Sequence, residues 1–495
     1  MKALADKLLI IAESLGFVVP EVLITIAIIV IIVLDLIGKN KFYKGIILFA
    51  FLSACMIWML SFAQLNIGEK RPLGLFLGMI RIDQLSTLWK LIIDTGLIIT
   101  VLIQLRRHQS RYGAEFLSFM FFIVLGAHFL IMSNHLLMVF LSIEIMSIGA
   151  YVLTTYAFKA QGYEAGMKYL LFGGIASAVM LYGMSLIYAY TGTLQFFSPD
   201  FNEALLKINM LPLLVAGVMV LAGILFKITA APMHIWAPDT YELAPTPAVA
   251  LFSTIPKLAG LAVLIKWLLA VNVFGLGNIP WDKLVGAIAI LTLTIGNFSA
   301  LWQSNVKRML AYSSIAHSGF LLIGLVAFSV TGLQSMLFYA GIYLLMNMAI
   351  FLLVNFFESK YNLISFADYK GAGKVFPYFT ALMVIILIAL TGLPPTAGFT
   401  AKLFVFSALW EKYSVTGENW VMFLFAFGLF NAVISLFYYL KLPYLMIFKE
   451  GGVVKKKKFD VLENFLGTIL VLALLLLFFK PDWLMNMINN VNFAF

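Results

Sequence analysis

The chain has 495 residues, of which 63% are hydrophobic and 11% charged, against about 25% charged in an ordinary soluble domain. So little charge cannot cover a water-soluble globule, and 45 Phe side chains require lipid as the outer solvent. With 33 Lys and Arg against 23 Asp and Glu the net charge is +10, and in a membrane protein such an excess sets topology and does not signal nucleic-acid binding. The single cysteine, Cys55, excludes an internal disulfide and leaves too few thiolates for an iron–sulfur cluster or a structural zinc.

Residues 1–16 carry Lys2, Asp6, Lys7 and Glu13 around a short apolar run with no small-residue cleavage site. This reads as a surface helix, not a signal peptide. A bilayer core about 30 Å thick needs roughly 20 apolar residues per helix. Such runs fall at 17–37, 43–66, 80–105, 114–132, 134–158, 165–191, 211–234, 243–272, 282–302, 309–329, 331–357, 376–408, 418–447 and 459–479. The sequence therefore predicts an all-α polytopic membrane protein of fourteen transmembrane helices, with both termini on one side. If that side is the outer one, the inner loops carry seventeen cations: Lys39, Lys41, Lys44, Arg106, Arg107, Arg111, Lys159, Lys307, Arg308, Lys360, Lys370, Lys374, Lys449 and Lys455 to Lys458. The outer segments carry eight: Lys2, Lys7, Lys70, Arg71, Lys207, Lys283, Lys412 and Lys480. This asymmetry favours outer termini.

Eight cations remain within or at the ends of spans, where each costs about 2.5–3.5 kcal/mol if it faces lipid at mid-depth. Arg81, Lys168, Lys266 and Lys441 are close enough to a span end for their stems to snorkel to water. Lys168 also has Glu164 one turn before it, which makes it at most an auxiliary site. Lys90 and Asp94 are i,i+4 on one helix near Asp83, so a self-neutralising pair and a functional site are both open.

Glu144 resists such explanations: it lies ten residues into its run, about 15 Å deep, with no cation on the same helix. Lys257 follows Pro256 in FSTIPKLAG, where the proline removes a backbone donor, frees a carbonyl one turn earlier and marks a further helix break. Lys227 stands beside a break expected at Pro232, with His234 just beyond. Lys402 follows TGLPPTAGFTAK, where Gly392, Pro394, Pro395 and Gly398 cannot continue a regular helix. Irregular backbone at membrane depth is tolerated only inside protein or beside water. Two spans, 211–234 and 376–408, are thus expected to be interrupted, each with one lysine at its break. His317 is about 15 Å deep as well, and its serine neighbours fit either a hydrogen-bonded core residue or a proton relay. His108, His128 and His135 lie near span ends and carry no site expectation.

Spacing links these residues. Glu144 and Lys227 are 83 residues apart and His317 and Lys402 are 85 apart, with the two pairs offset by 173 and 175 residues. The fifth and seventh spans therefore correspond to the tenth and twelfth. An offset of five spans reverses direction across the membrane, so the pattern predicts two inverted-topology five-helix repeats, each with a broken helix. The expected organisation is 1–113 for the N-terminal helix and three spans, 114–272 and 282–448 for the repeats, and 449–495 for a basic loop and the last span. Lys257 has no mate and falls at the junction. A buried lysine with a movable carboxylate neighbour suits proton transfer.

The stretches LSIEIMSIGAYVL, FKITAAPMHIWAPDTYELAPTPAVALFSTIPKLAG, VKRMLAYSSIAHSGFLL and LTGLPPTAGFTAKLFVF resemble the antiporter-like membrane subunits of bacterial proton-pumping NADH:quinone oxidoreductase, respiratory complex I. The resemblance runs from about residue 70 to 450, and lysine at 402 together with APDTYELAPTP is similar to the subunit N branch. It implies that Glu144 modulates Lys227, that Lys257 and Lys402 form the central relay and outlet, and that His317 lies on the polar axis. It also implies a bacterial inner-membrane location and no cofactor in this chain. FMN, iron–sulfur clusters, NADH and quinone belong to partner subunits, and the other membrane-arm subunits are its neighbours. The alternative is a subunit of a multi-component sodium/proton antiporter or a membrane-bound hydrogenase. Sodium coupling would call for more oxygen ligands than this lysine-rich, acid-poor set provides. A solute carrier would need polar groups at the breaks, which hold Gly, Pro, Ala and Thr.

Overall fold

The computed structural model describes residues 2–38, 43–68, 72–104, 113–156, 158, 160–272, 279–451 and 461–491. Lys39, Lys41, Lys70, Arg71, Arg106, Arg107, His108, Arg111, Lys159 and Lys455 to Lys458 lie outside these residues. The chain runs through α1 (Lys2–Leu15), α2 (Val19–Gly38), α3 (Tyr43–Gly68), the strands β1 (Leu73–Leu75) and β2 (Ile80–Ile82), α4 (Gln84–Gln104), α5 (Gly113–Met132), α6 (Leu136–Thr155), α7 (Ala160–Thr191), α8 (Pro199–Leu206) and α9 (Met210–Lys227). It continues through α10 (Trp236–Leu243), α11 (Thr246–Asn272), α12 (Trp281–Leu301), α13 (Val306–Val326), α14 (Val330–Tyr361), α15 (Ala372–Val375) and α16 (Pro377–Thr391). The last four helices are α17 (Ala397–Thr416), α18 (Asn419–Phe448), α19 (Val461–Phe479) and α20 (Asp482–Asn489).

Among the described residues twelve helices are long and apolar enough to cross a membrane, or thirteen if α19 and α20, bent by 73°, count as one span. Those twelve coincide with twelve of the fourteen apolar runs. Of the other two, 376–408 is divided between α16 and α17, and 459–479 is α19. α11 is buried over nearly all of its length and α4, α13 and α14 over most of theirs, whereas α2, α7 and α18 turn long apolar faces outward. Phe423, Phe430 and Phe437 on α18 are exposed in this way, as a lipid-facing stripe demands.

Local chemistry sets the element ends. Asn305 and Ser329 cap α13 and α14 by accepting the Arg308 and Gly332 amides at 3.2 and 3.1 Å. α16 begins on Pro377 and ends at Gly392, whose φ of +83° is the left-handed conformation that favours glycine. The third run does not begin as a helix at residue 80. Residues 80–82 pair with 73–75 as an antiparallel hairpin, and α4 starts only after Asp83, whose carboxylate accepts the Ser86 amide at 2.7 Å. A span-length apolar run conceals this because Ile80 and Ile82 pack with Val18, Leu75 and Met132 in a small core of their own.

The chain divides into two compact units. Unit 1 comprises Met1–Ile228, Thr254–Trp281 and Val491–Phe495; unit 2 comprises Thr229–Ser253 and Asp282–Asn490. Within unit 1, α5 packs on α2, α4 and α6, and α7 packs on α6 and α9. Within unit 2, α14 packs on α13, α16, α17 and α19, while α10 lies against α13.

Candidate functional site: buried lysines at two helix interruptions

In unit 1, α9 stops at Lys227 itself, so the lysine occupies the C-terminal end of an interrupted helix. Its side chain is buried, and among the described residues Nζ has no hydrogen-bond partner. The carboxylate of Glu144, on α6, acts on it electrostatically and is itself hydrogen-bonded to Ser177 Oγ of α7. Glycines permit this proximity: a Cβ at Gly173 would lie 1.8 Å from Tyr151 Oη and 3.2 Å from the Phe226 ring. Gly260 does the same for α11, since a Cβ there would meet Ile228 at 2.8 Å and Lys227 Cβ at 3.3 Å. Lys257 lies one turn before Gly260 and is fully buried.

Pro256 makes no break. α11 is helical from Thr246 to Asn272 with the proline inside it. In the turn before the proline, Tyr343 Oη donates to the Ser253 carbonyl at 2.9 Å.

The segment following Lys227 lies in unit 2. There Ala231 N–H donates to Thr292 Oγ1 at 3.0 Å, so α12 satisfies backbone that no helix uses. Pro232 follows a cis peptide bond. His234 is half-buried with Nδ1 unpartnered. α10 is then tied to α13: Arg308 meets Asp239 at 2.7 Å and Glu242 at 2.8 Å. Lys307, which the loop count treated as a plain inner cation, is buried, pairs with Glu358 at 2.9 Å and donates to the Ala244 carbonyl at 3.1 Å.

The second interruption, also in unit 2, runs from Gly392 to Thr396, with a cis bond between Pro394 and Pro395. Lys402 sits in the second turn of α17 and points its ammonium back at the end of α16, donating to the Thr391 carbonyl at 2.7 Å and the Leu390 carbonyl at 3.4 Å. These are orphan carbonyls at the negative pole of a helix, a natural seat for a cation. The Phe320 ring of α13 lies 4.4 Å from Nζ. A Cβ at Gly398 would lie 1.8 Å from the Ala389 carbonyl oxygen, and one at Gly392 would lie 2.7 Å from Lys402 Cδ. The Lys402 stem borders a cavity of about 350 Å³ walled by Phe399, Phe406, Trp410 and Phe425.

His317 is buried one turn before Phe320, with Tyr339 Oη 2.8 Å from Nδ1 and Tyr439 Oη 3.1 Å from Nε2. Tyr439 continues to Ser313, Tyr343 contacts Ser314 at 2.8 Å, and Tyr438 donates to Asn297 at 3.0 Å. This hydroxyl network was missed in the sequence. Its only signal was tyrosine inside span-length apolar runs, where a phenol needs a hydrogen-bond partner.

Lys168 pairs with Glu164 at 2.8 Å on an exposed helix face, as their i,i+4 spacing suggests. Other expectations need correction. Lys266 does not snorkel to water: it is buried and donates to the Ile131 carbonyl at 2.6 Å. Lys90 and Asp94 face different partners, because Glu21 of α2 takes Lys90 at 2.7 Å and His128 of α5 takes Asp94 at 2.8 Å. His128 is therefore no ordinary span-end residue.

Residues 133–435 match the family described as NADH:quinone oxidoreductase/Mrp antiporter, TM. That defines a class, the antiporter-like membrane subunits. NADH-quinone oxidoreductase subunit N 2 of Sorangium cellulosum is 37% identical over 454 residues, 87% of either chain. NADH-quinone oxidoreductase subunit N of Chlorobium chlorochromatii is 36% identical over 492 residues, covering 94% of this chain and 93% of that one. A chain of respiratory complex I from Thermus thermophilus superposes with a TM-score of 0.78 at 25% identity, over 96% of this chain and all of that one. The chain belongs to the NADH-quinone oxidoreductase subunit N family of antiporter-like membrane proteins.

Proposed function

We propose that this chain is the proton-translocating subunit N of an NADH:quinone oxidoreductase, and that protons pass by way of Glu144, Lys227 and Lys257 in unit 1 and His317 and Lys402 in unit 2. The observation that carries this reading is the matched placement of Lys227 and Lys402, each buried at an interruption of a transmembrane helix. Lys227 holds its proton with no fixed acceptor, so a change in the charge or distance of Glu144 can make it hold or release that proton. Lys402 holds its proton against helix-end carbonyls. The tyrosines and serines around His317 are donors and acceptors along which a proton can move by reorientation.

On this reading the two interrupted helices belong to inverted repeats, 114–272 and 282–448, within fourteen spans, and both termini face the outer side of a bacterial inner membrane. Residues 1–113 and 449–495 flank the repeats. The chain carries no redox chemistry. NADH oxidation and quinone reduction, with FMN and iron–sulfur clusters, occur in partner subunits, and other membrane-arm subunits adjoin it.

Glu144→Gln keeps the hydrogen bond to Ser177 and removes the charge. Several-fold slower NADH-driven acidification of sealed vesicles is expected, with electron transfer from NADH to an artificial acceptor unchanged. Wild-type acidification in this variant would overturn the role given to Glu144.

A further inference from the structure

Unit 1 holds a second set of buried ionisable groups that takes no part in the lysine route. Glu21, Lys90, Asp94 and His128 come from α2, α4 and α5, and none is more than 2% exposed. Lys90 Nζ meets Glu21 Oε1 at 2.7 Å and Gln64 Oε1 at 3.0 Å. The His128 ring is held between two carboxylates: Nδ1 is 2.8 Å from Glu21 Oε1, and Nε2 is 2.8 Å from Asp94 Oδ1. Ser61 of α3 donates to the other Asp94 oxygen at 2.7 Å. Glu21 Oε2 is buried with no hydrogen-bond partner among the described residues.

Donor counting gives this arrangement a meaning. A neutral imidazole carries one N–H, whereas ionised carboxylates only accept, so two carboxylates on both ring nitrogens leave one contact without a hydrogen. The network closes only when it holds one more proton, on the ring as imidazolium or on one of the carboxyl groups. With that proton the four side chains sum to zero charge; without it they carry a net negative charge in a low-dielectric interior. Each ring nitrogen lies 2.8 Å from a carboxylate oxygen, so the proton has a seat at either contact. Gln64 Nε2 donates to the Phe17 carbonyl at 2.8 Å, so a line of polar groups leads from the exposed turn between α1 and α2 through Gln64 and Lys90 to Glu21.

We propose that Glu21, Lys90, Asp94 and His128 form a binding site for one exchangeable proton, separate from the lysines at the helix interruptions and reached from the α1–α2 turn. The ionisable groups facing His128 are Glu21 from α2 and Lys90 and Asp94 from α4, while α3 offers the neutral Gln64 and Ser61. At the same end of α5, Lys266 of α11 lies 4.0 Å from Asp83, which also meets Arg81 at 3.5 Å. On α6, Glu144 is engaged with Ser177.

The test is infrared difference spectroscopy of the intact solubilised complex between acid and alkaline pH, with isotope-labelled histidine. His128→Gln identifies the His128 signal as the one that disappears. Asp94→Asn can turn its amide N–H to Nε2 and its oxygen to Ser61 while Nδ1–H donates to Glu21, so this variant satisfies a neutral ring and expels the extra proton. Complete loss of the His128 protonation signal is expected in Asp94→Asn. If His128→Gln does not assemble, Asp94→Asn against wild type gives the same comparison. A wild-type spectrum with no His128 change at any pH would mean a fixed charge network and would overturn the proposal. So would a signal retained in Asp94→Asn, or failure of that variant to assemble. The readout is proton occupancy, so its outcome is independent of whether Lys227 and Lys402 pump.

Discussion

Lys402→Met lowers NADH-driven proton transport by on the order of 10²-fold, the scale of a lost positioned proton-transfer group, while the complex still assembles. Methionine fills a similar volume among Phe320, Phe399 and Phe406, so packing around the stem survives. What disappears is the group that bridges the interruption, an ammonium donating to the Thr391 and Leu390 carbonyls. Those carbonyls have no helical partner, and without Lys402 they have no cation either. Lys402→Arg keeps the charge but not the compact ammonium, and arginine does not give up its proton. It is expected to assemble and not to transport. Acidification of the interior of sealed vesicles measures both variants, with NADH oxidation recorded in the same sample. Full transport by Lys402→Met would remove the second interruption from the route.

Gly398→Ala has the largest expected effect on stability. The added Cβ would stand 1.8 Å from the Ala389 carbonyl oxygen and 3.2 Å from Met346 Sδ. The carbonyl is backbone and cannot swing aside, so α17 must move away from α16. The overpacking cost is about 3 kcal/mol, at the upper end of the usual range. The same movement draws Lys402 off its carbonyl seat, so transport falls along with thermal stability. Gly174→Ala is the contrast. Gly174 lies within α7, where a Cβ meets nothing within 4 Å, and replacing glycine there stabilises the helix by about 0.5–1 kcal/mol. Thermal unfolding of the purified complex separates the two. Equal midpoints for both variants would show that the close approach of α16 and α17 is not needed.

The fold was legible wherever a single run of sequence decides the outcome. Apolar length placed the twelve membrane-length helices, and Gly392, Pro394 and Pro395 marked the second interruption because their backbones permit little else. Pro256 misled because a local rule was overruled by surroundings. α11 is buried over nearly all of its length, and Tyr343 donates to the Ser253 carbonyl in the turn before the proline. The deep lysines were legible because an ionisable group far from either membrane face stands out in one sequence. The Glu21–His128 contact was not, since it joins residues 107 apart. Glu21 in the first turn of α2 looks like an ordinary acidic residue at a helix start. His128, four positions from the end of its span, looks like an ordinary span-end residue until α2 and α4 are packed against it. The Tyr339, Tyr343 and Tyr439 network was hidden for the same reason: apolar composition conceals hydroxyls whose partners lie on other helices.

The most direct measurement of the central claim is the number of protons pumped per NADH oxidised in sealed vesicles carrying the Lys227→Met, Lys402→Met double variant. The complex is expected to assemble and to reduce an artificial acceptor from NADH at the wild-type rate, with fewer protons moved per NADH than in wild type. An unchanged proton-to-NADH ratio in the double variant would contradict the claim.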